Sequence, residues 1–483
     1  MGMVSASGCR WLGAAGSLGI AVGGLTAGAL PVRDPWGLWV DRGPALSVAG
    51  ALLAYLGLTL LVAAWWRYGA LLARGERDRV LATFACWTAP LLLAPPLYSA
   101  DVYSYVAQGA MVLEGHDVYA AGPSVLGPHD LGADAADSVG GHWTDTPAPY
   151  GPAFLLLAQG VVALTGGTVV PAVLGMRLLA LAAVALIVWA VRGLGGGPRA
   201  LWLAVLNPLL LIHVVGGLHN DGLMIGLMLG GLLLAVRGRW ILGSALLGLA
   251  IMVKSPAAVA LVFVSVIVTR RTGPLRGVLG PTLVAAAVAA GASLLAGTGF
   301  GWLRTQGVAG TIHTALSLTS DLGLGLSVLT GSDAAKTAVQ QAGLLSAATL
   351  IAWTAWRTWQ QRLEPAHGLG LALLALVALS PMVQPWYLLW GTAALAAAAR
   401  TGRPWQAAAV LSGALVYETA PDGHTPWYGF VLAGAAACGL ALWGRRKEAH
   451  DGSGGRGGGG VRDVEREVWR GRNARKTSDR SAP

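Results

Sequence analysis

Apolar runs of bilayer length, separated by short polar links, fill most of this chain. Stretches near roughly 20 apolar residues read as membrane-crossing helices. They fall at 11–30, 44–66 and 80–97, then at 151–167, 171–191, 200–217, 221–237, 240–253 and 257–269. The last group is 277–297, 336–356, 367–383, 386–399, 404–418 and 427–443. The pattern predicts an all-α polytopic bundle of about 13 to 15 crossings. Its largest interruption runs from Pro95 to Pro152, with six aspartates, Glu114 and three histidines, His116, His129 and His142, and no lysine or arginine. A second polar segment spans 298–335. Residues 1–447 form the membrane domain, and a Gly-rich, basic, disordered cytoplasmic tail is expected at 448–483.

Composition agrees: 55% of the 483 residues are apolar and 12% charged, against about 25% charged in soluble domains. Mean hydropathy is +0.60. The net charge of +10 sits in short links and the tail, which is a topology signal and excludes a nucleic-acid reading. Placing Arg67, Arg74, Arg77, Arg79, Arg237, Arg239, Arg270, Arg271, Arg276, Arg357, Arg362, Arg400, Arg403 and Arg445-Arg446-Lys447 in the cytoplasm leaves four segments outside. These are 98–150, 298–335, the Gln384-Pro385-Trp386-Tyr387 turn and 418–426, with Lys254 and His219-Asn220-Asp221 on the same side. Parity then requires one segment within 151–217 to be a half-span, and 151–167, the shortest, is taken as that one. Three cysteines, Cys9, Cys86 and Cys438, suggest neither a disulfide framework nor a metal cluster. The N-terminal apolar stretch has only Arg10 before it and is read as an uncleaved first span.

Asp101 follows the third span by four residues. A carboxylate at a bundle rim is partly desolvated, which raises its basicity, and it can take the proton of an attacking hydroxyl. From spacing alone it reads equally as a cap on a helix beginning near Val102. Lys254 interrupts two apolar runs; it reads as a clamp for a lipid phosphate or as a snorkelling cation at a helix end. His219-Asn220-Asp221 offers partners for sugar hydroxyls, or a cap. Gln384-Pro385-Trp386-Tyr387 offers an amide beside two stacking rings, or an interfacial aromatic belt. Arg177 reads as a second phosphate contact or a snorkelling side chain. The histidines are not at zinc spacing, and no Walker A or supported GxGxxG run occurs. No cofactor is assigned; the loop carboxylates are the oxygen ligands a divalent cation would take, but no DxD pair accompanies Asp101 and no residue is assigned to a metal.

The runs Ser99–Gly109, Gly115-His116-Asp117-Val118-Tyr119 and Thr146–Pro152 carry a resemblance. So do Asn207-Pro208-Leu209, Gly217–Asp221 and Ser380-Pro381 followed by Gln384–Tyr387. Together, over most of residues 80–400, they resemble the actinobacterial polyprenol-phosphomannose-dependent α-(1→6)-mannosyltransferases of the GT-C superfamily. The resemblance implies a multi-pass cell-membrane glycosyltransferase with its active site on the extracytoplasmic side. The donor would be polyprenyl-phosphate mannose, the acceptor a lipid-linked or free mannoside, and the setting lipomannan-type glycolipid synthesis. It implies an inverting displacement with Asp101 as the catalytic base. Tyr103, Tyr105, Tyr150, His219, Asn220, Asp221, Lys254, Gln384, Trp386 and Tyr387 would bind substrate. A secondary transporter or lipid-linked sugar flippase is the alternative; it calls for a midplane site, broken helices and repeats.

Overall fold

A computed structural model describes residues 5–76, 79–398 and 400–453. Arg77 and the tail from residue 454 onward lie outside the described residues; the tail's first six residues, 448–453, continue the last helix. Among the described residues there is no strand.

The helices are α1 (Ala6–Ala27), α2 (Pro44–Ala73), α3 (Val80–Thr88), α4 (Asp101–Leu113), α5 (Ala133–Asp137), α6 (Pro152–Thr165) and α7 (Val169–Gly193). Then come α8 (Pro198–Ala204), α9 (Asp221–Val236), α10 (Trp240–Ile251), α11 (Ala258–Thr272), α12 (Pro274–Leu295) and α13 (Val308–Thr311). The chain ends with α14 (Leu318–Thr330), α15 (Ala334–Trp359), α16 (Pro365–Leu379), α17 (Leu388–Ala397), α18 (Arg403–Ala414) and α19 (Trp427–Ser453). The all-α membrane bundle is as the sequence predicts.

By length and apolar composition, five helical stretches among the described residues can cross a bilayer: Pro44–Ala73, Val169–Gly193, Ser255–Thr272, Pro274–Leu295 and Trp427–Gly444. A sixth forms if the π-helical turn Leu210–Gly216 and α9, bent by 108°, are one broken span. Several other apolar runs fold as shorter helices, among them α6, α10 and α16. Local chemistry shortens them. In 200–217, α8 ends before Asn207-Pro208; Pro208 lacks an N–H, and Asn207 takes over the local bonding. Its Nδ2 donates to the Leu203 carbonyl (2.9 Å) and to Ser412 Oγ (2.9 Å), and its Oδ1 accepts from Leu209 N. At 80–97, Pro90 turns the end of the run into a 3₁₀ segment, Ala89–Leu93. The segment α6, taken as the half-span, has 14 residues.

Arg177 has neither of the roles expected from sequence. Its side chain is buried, and one guanidinium nitrogen donates to the Leu92 (2.7 Å) and Ala94 (2.8 Å) carbonyls. It satisfies the backbone where the third apolar run breaks before Pro95-Pro96, so it ties α7 to that break.

Two joints bring the functional segments together. Leu97 N donates to the Gly216 carbonyl (3.1 Å), and Tyr98 N to the Pro421 carbonyl (2.7 Å). The chain entering α4 is thereby fastened to both the α9 bend and the α18–α19 turn. The 298–335 segment, expected as a loop, carries α13 and α14 and folds over the same end. Trp302 there packs beside Val118 and Tyr119 of the 98–150 loop.

Candidate functional site at the rim of the bundle

Asp101 is the first residue of α4. It caps nothing: Ala100 precedes the helix without a side-chain cap bond, and Asp101 N itself donates to Ser99 Oγ (3.0 Å). Its carboxylate instead lies 3.3 Å from Nδ1 of His219, Oδ2 being the near oxygen. The His219 side chain is fully buried, while that of Asp101 keeps 29% of its exposure. The His219 ring stacks on Trp386, centroids 3.7 Å apart at 22°. Burial pushes the Asp101 carboxyl up; the His219 ring beside it, the Lys254 ammonium and Ser99 outweigh it, holding the carboxyl below the usual carboxylate range. The raised basicity expected from desolvation is therefore not found, because neighbouring donors favour the charged form.

A second carboxylate lies deeper. Asp221 opens α9 after the bend; like Asn220, it forms no side-chain cap. It is completely buried, and both its oxygens lie 3.0 Å from Lys254 Nζ. Trp390 Nε1 donates to the same carboxylate at 2.6 Å. The ammonium also sits 4.4 Å from the centroid of the Tyr387 ring, which stacks on Trp390 at 4.2 Å. Lys254 is thus neither free nor snorkelling: a cation and an anion that would each be costly alone are buried as a bonded pair.

These groups meet at a cavity of about 480 Å³. Asp101 is the one carboxylate and Lys254 the one cation among the described residues lining it. Tyr150, Trp386, Tyr387, Trp390 and Trp143 supply rings, and Gln384, Ser255, Thr305 and Gln306 supply polar groups. Of the sequence-predicted residues, Asp101, Tyr150, Lys254, Gln384, Trp386 and Tyr387 line the cavity, with His219 and Asp221 directly behind. Tyr105 supports Tyr150 edge-on, centroids 5.1 Å apart. Asn220 is buried beside them, with neither end of its amide hydrogen-bonded. Tyr103 lies elsewhere: its hydroxyl donates to the Ala29 carbonyl (2.6 Å).

Sequence reasoning missed Trp390, Trp143 and His213. Trp390 lies one helical turn beyond Trp386-Tyr387, a spacing that was available to read. His213, on the π-helical turn, is fully buried 5.0 Å from Trp386 and 5.7 Å from His219; nothing in its apolar run marks it. Two backbone positions flanking the site are left-handed without being glycine: Tyr98 at φ 60° and Leu218 at φ 62°.

The fold and site together define a multi-pass membrane protein with ionisable and aromatic groups collected at one end. Comparison with known proteins identifies the family. The model described as "Alpha-(1->6)-mannopyranosyltransferase, N-terminal domain" matches residues 10–270, and that of the "MptB C-terminal domain" matches 311–445. A probable alpha-(1->6)-mannopyranosyltransferase of Mycolicibacterium smegmatis is 37% identical over 441 residues, covering 80% of this chain and 78% of its own. Alpha-(1->6)-mannopyranosyltransferase A of Mycobacterium tuberculosis is 36% identical, covering 89% and 88%. Alpha-(1->6)-mannopyranosyltransferase B of Corynebacterium glutamicum is 33% identical, covering 80% and 72%. No solved structure matches. The chain belongs to the alpha-(1->6)-mannopyranosyltransferase family and is a glycosyltransferase, which disfavours the transporter alternative.

Proposed function

We propose that this chain transfers mannose from polyprenyl-phosphate mannose to an α-mannoside, making an α-(1→6) bond at the outer face of the plasma membrane during lipomannan-type glycolipid synthesis. The observation that carries the reading is the cavity's charge content: one carboxylate and one ammonium, set among aromatic rings at the end of a membrane bundle. An inverting displacement on a phosphate-linked sugar needs one base and one counter-charge.

The acceptor's 6-hydroxyl oxygen attacks C1 of the donor mannose as the C1–O bond to phosphate breaks. The bonding pair leaves on the phosphate oxygen, and the hydroxyl proton passes to Asp101. Asp101 is held ionised by His219 and Lys254, so it is ready to accept that proton at neutral pH. Lys254, with two N–H groups on Asp221, has one left for the phosphate, whose charge grows as it leaves. Asp221 and Trp390 fix the ammonium, and His219 on Trp386 fixes the carboxylate, so positioning precedes substrate arrival. Tyr150, Tyr387 and Gln384 hold the sugar or the first isoprenoid units, and Tyr105 and Asn220 brace that wall.

The test uses purified full-length protein, radiolabelled polyprenyl-phosphate mannose and a short α-mannoside. Asp101→Asn should lower transfer by about 10²–10⁴-fold, the usual worth of a general base, with expression and elution profile retained. Wild-type-like turnover in Asp101→Asn would remove Asp101 from the mechanism.

A further inference from the structure

A second cavity opens at the same end of the bundle, on the far side of α4. Its volume is about 710 Å³, within the roughly 300–1,000 Å³ of small-molecule sites. The α1–α2 connection, the start of α4 and the α18–α19 turn form its walls. Trp39, Tyr103 and Tyr428 contribute rings, and Asp34, Asp41 and Asp422 contribute carboxylates.

Its chemistry differs from that of the Asp101 cavity. Among the described residues lining it there is no lysine or arginine, and its imidazole, His424, is already paired with Asp422, so it offers a phosphate no ammonium or guanidinium. Its carboxylates are fixed before anything binds. Asp34 accepts from the backbone N–H groups of Trp36, Leu38 and Trp39 at 2.7–2.8 Å, and Asp41 from Gly43 N at 2.8 Å. Asp422 is held by His424. Carboxylate oxygens with spare lone pairs, set between aromatic faces, suit a neutral polyhydroxylated ligand: the oxygens accept from hydroxyl groups and the rings cover apolar C–H faces.

Position gives the ligand its place in the reaction. Ala100 and Tyr103 line this cavity, while Asp101 lines the other. The first turn of α4 is therefore a partition one residue thick in sequence. The α18–α19 turn is clamped onto it: Gly423 sits so close that a Cβ there would fall 2.9 Å from Ser99 Cα. A chain of sugars crossing Ala100 would have its terminal unit at Asp101 and its inner units against Trp39, Tyr103 and Tyr428.

We propose that this second cavity is a subsite for a neutral oligosaccharide and holds the inner sugars of the acceptor, behind the one that reacts. The assignment rests on the transferase reading above, and it makes acceptor length a determinant of specificity. Under this proposal Tyr103, expected from sequence to bind substrate beside Asp101, would belong to the wall of the second cavity instead.

The experiment compares wild-type full-length protein in detergent with Tyr428→Ala and Asp41→Asn, both surface positions. Saturation-transfer NMR measures binding of a linear α-(1→6)-mannotetraose; a transfer assay compares that tetrasaccharide with methyl α-mannoside as acceptor. Each variant should weaken tetrasaccharide binding and raise its KM about tenfold, with the KM for methyl α-mannoside and for the lipid donor unchanged. Absence of tetrasaccharide binding to wild type overturns the proposal. Unchanged binding in both variants, or an equal loss with methyl α-mannoside, does the same. Tetrasaccharide binding that depends on Tyr428 in a protein that transfers nothing from polyprenyl-phosphate mannose would sink the donor assignment and leave the glycan subsite standing.

Discussion

At the scale of single residues, the site is a set of charges that tolerate burial because of their partners. Asp221 has no exposure and Lys254 little, so removing one partner strands the other. Asp221→Asn should destabilise the protein by about 3–5 kcal/mol, and the double change Asp221→Asn with Lys254→Met should recover much of that while remaining inactive. Thermal unfolding of the three proteins in one detergent checks it; a double variant no more stable than Asp221→Asn would show that the ion pair is not the reason. A different carboxylate makes stability depend on pH. Burial pushes Glu364, just before α16, up from 4.5 to about 7, with Arg400 opposing. The folded state thus holds a proton that the unfolded chain releases earlier. The stabilisation is complete below pH 4.5 and is lost as pH rises to about 7. Glu364→Gln should flatten that part of the Tm-against-pH curve; an unaltered slope would show that Glu364 does not titrate there. Asp101 was legible from sequence as an acid at the end of an apolar run. Its partners were not, since His219 lies 118 positions away and reaches it only through a folded bend. The displacement of Tyr103 was readable in principle: two residues along a helix is about 200°, so it cannot share a face with Asp101.

At the scale of elements, small residues decide how closely helices approach. In the α1–α2 pair, a Cβ on Gly16 would fall 2.6 Å from the Gly57 carbonyl oxygen, and one on Gly57 would fall 2.5 Å from that of Gly16. The backbones themselves touch, as small-residue seams permit. Gly57→Leu should cost about 1–3 kcal/mol through overpacking. Gly434→Leu in α19, where a side chain meets open space, should cost little. Melting temperatures of the two variants decide the matter, and equal losses would mean that the seam is not where the bundle is tight. Glycine and alanine richness was visible in the chain, but which glycines face a backbone is a property of pairing. Helix lengths were similarly half-readable. Apolar runs gave the positions of α7, α12 and α15 within a few residues, whereas α2 continues to Ala73, past the expected end at 66. The shorter pieces depended on Asn207-Pro208 and Pro90, whose effect on a hydrophobic run is not read from hydropathy.

At the scale of the whole molecule, distant segments meet at one end of the bundle: the 98–150 loop, the α9 bend, Lys254, the 384–387 turn and the α18–α19 turn. Hydropathy and charge placed these segments on one side before any contact was known, because basic links alternate with them. What the alternation did not reveal was how they interlock, since that rests on single bonds such as Tyr98 N to Pro421. Tyr98 and Leu218, both left-handed, stand at the two ends of this interlock. Each such non-glycine residue costs of order 1–3 kcal/mol, so the joint is sprung and the surrounding helices keep it wound. Gentle heating should release the joint first: transfer activity should disappear at a lower temperature than the helical circular dichroism, and coincident midpoints would refute this. On the expected outcome, heat would silence the corner where these segments interlock while the scaffold still stood.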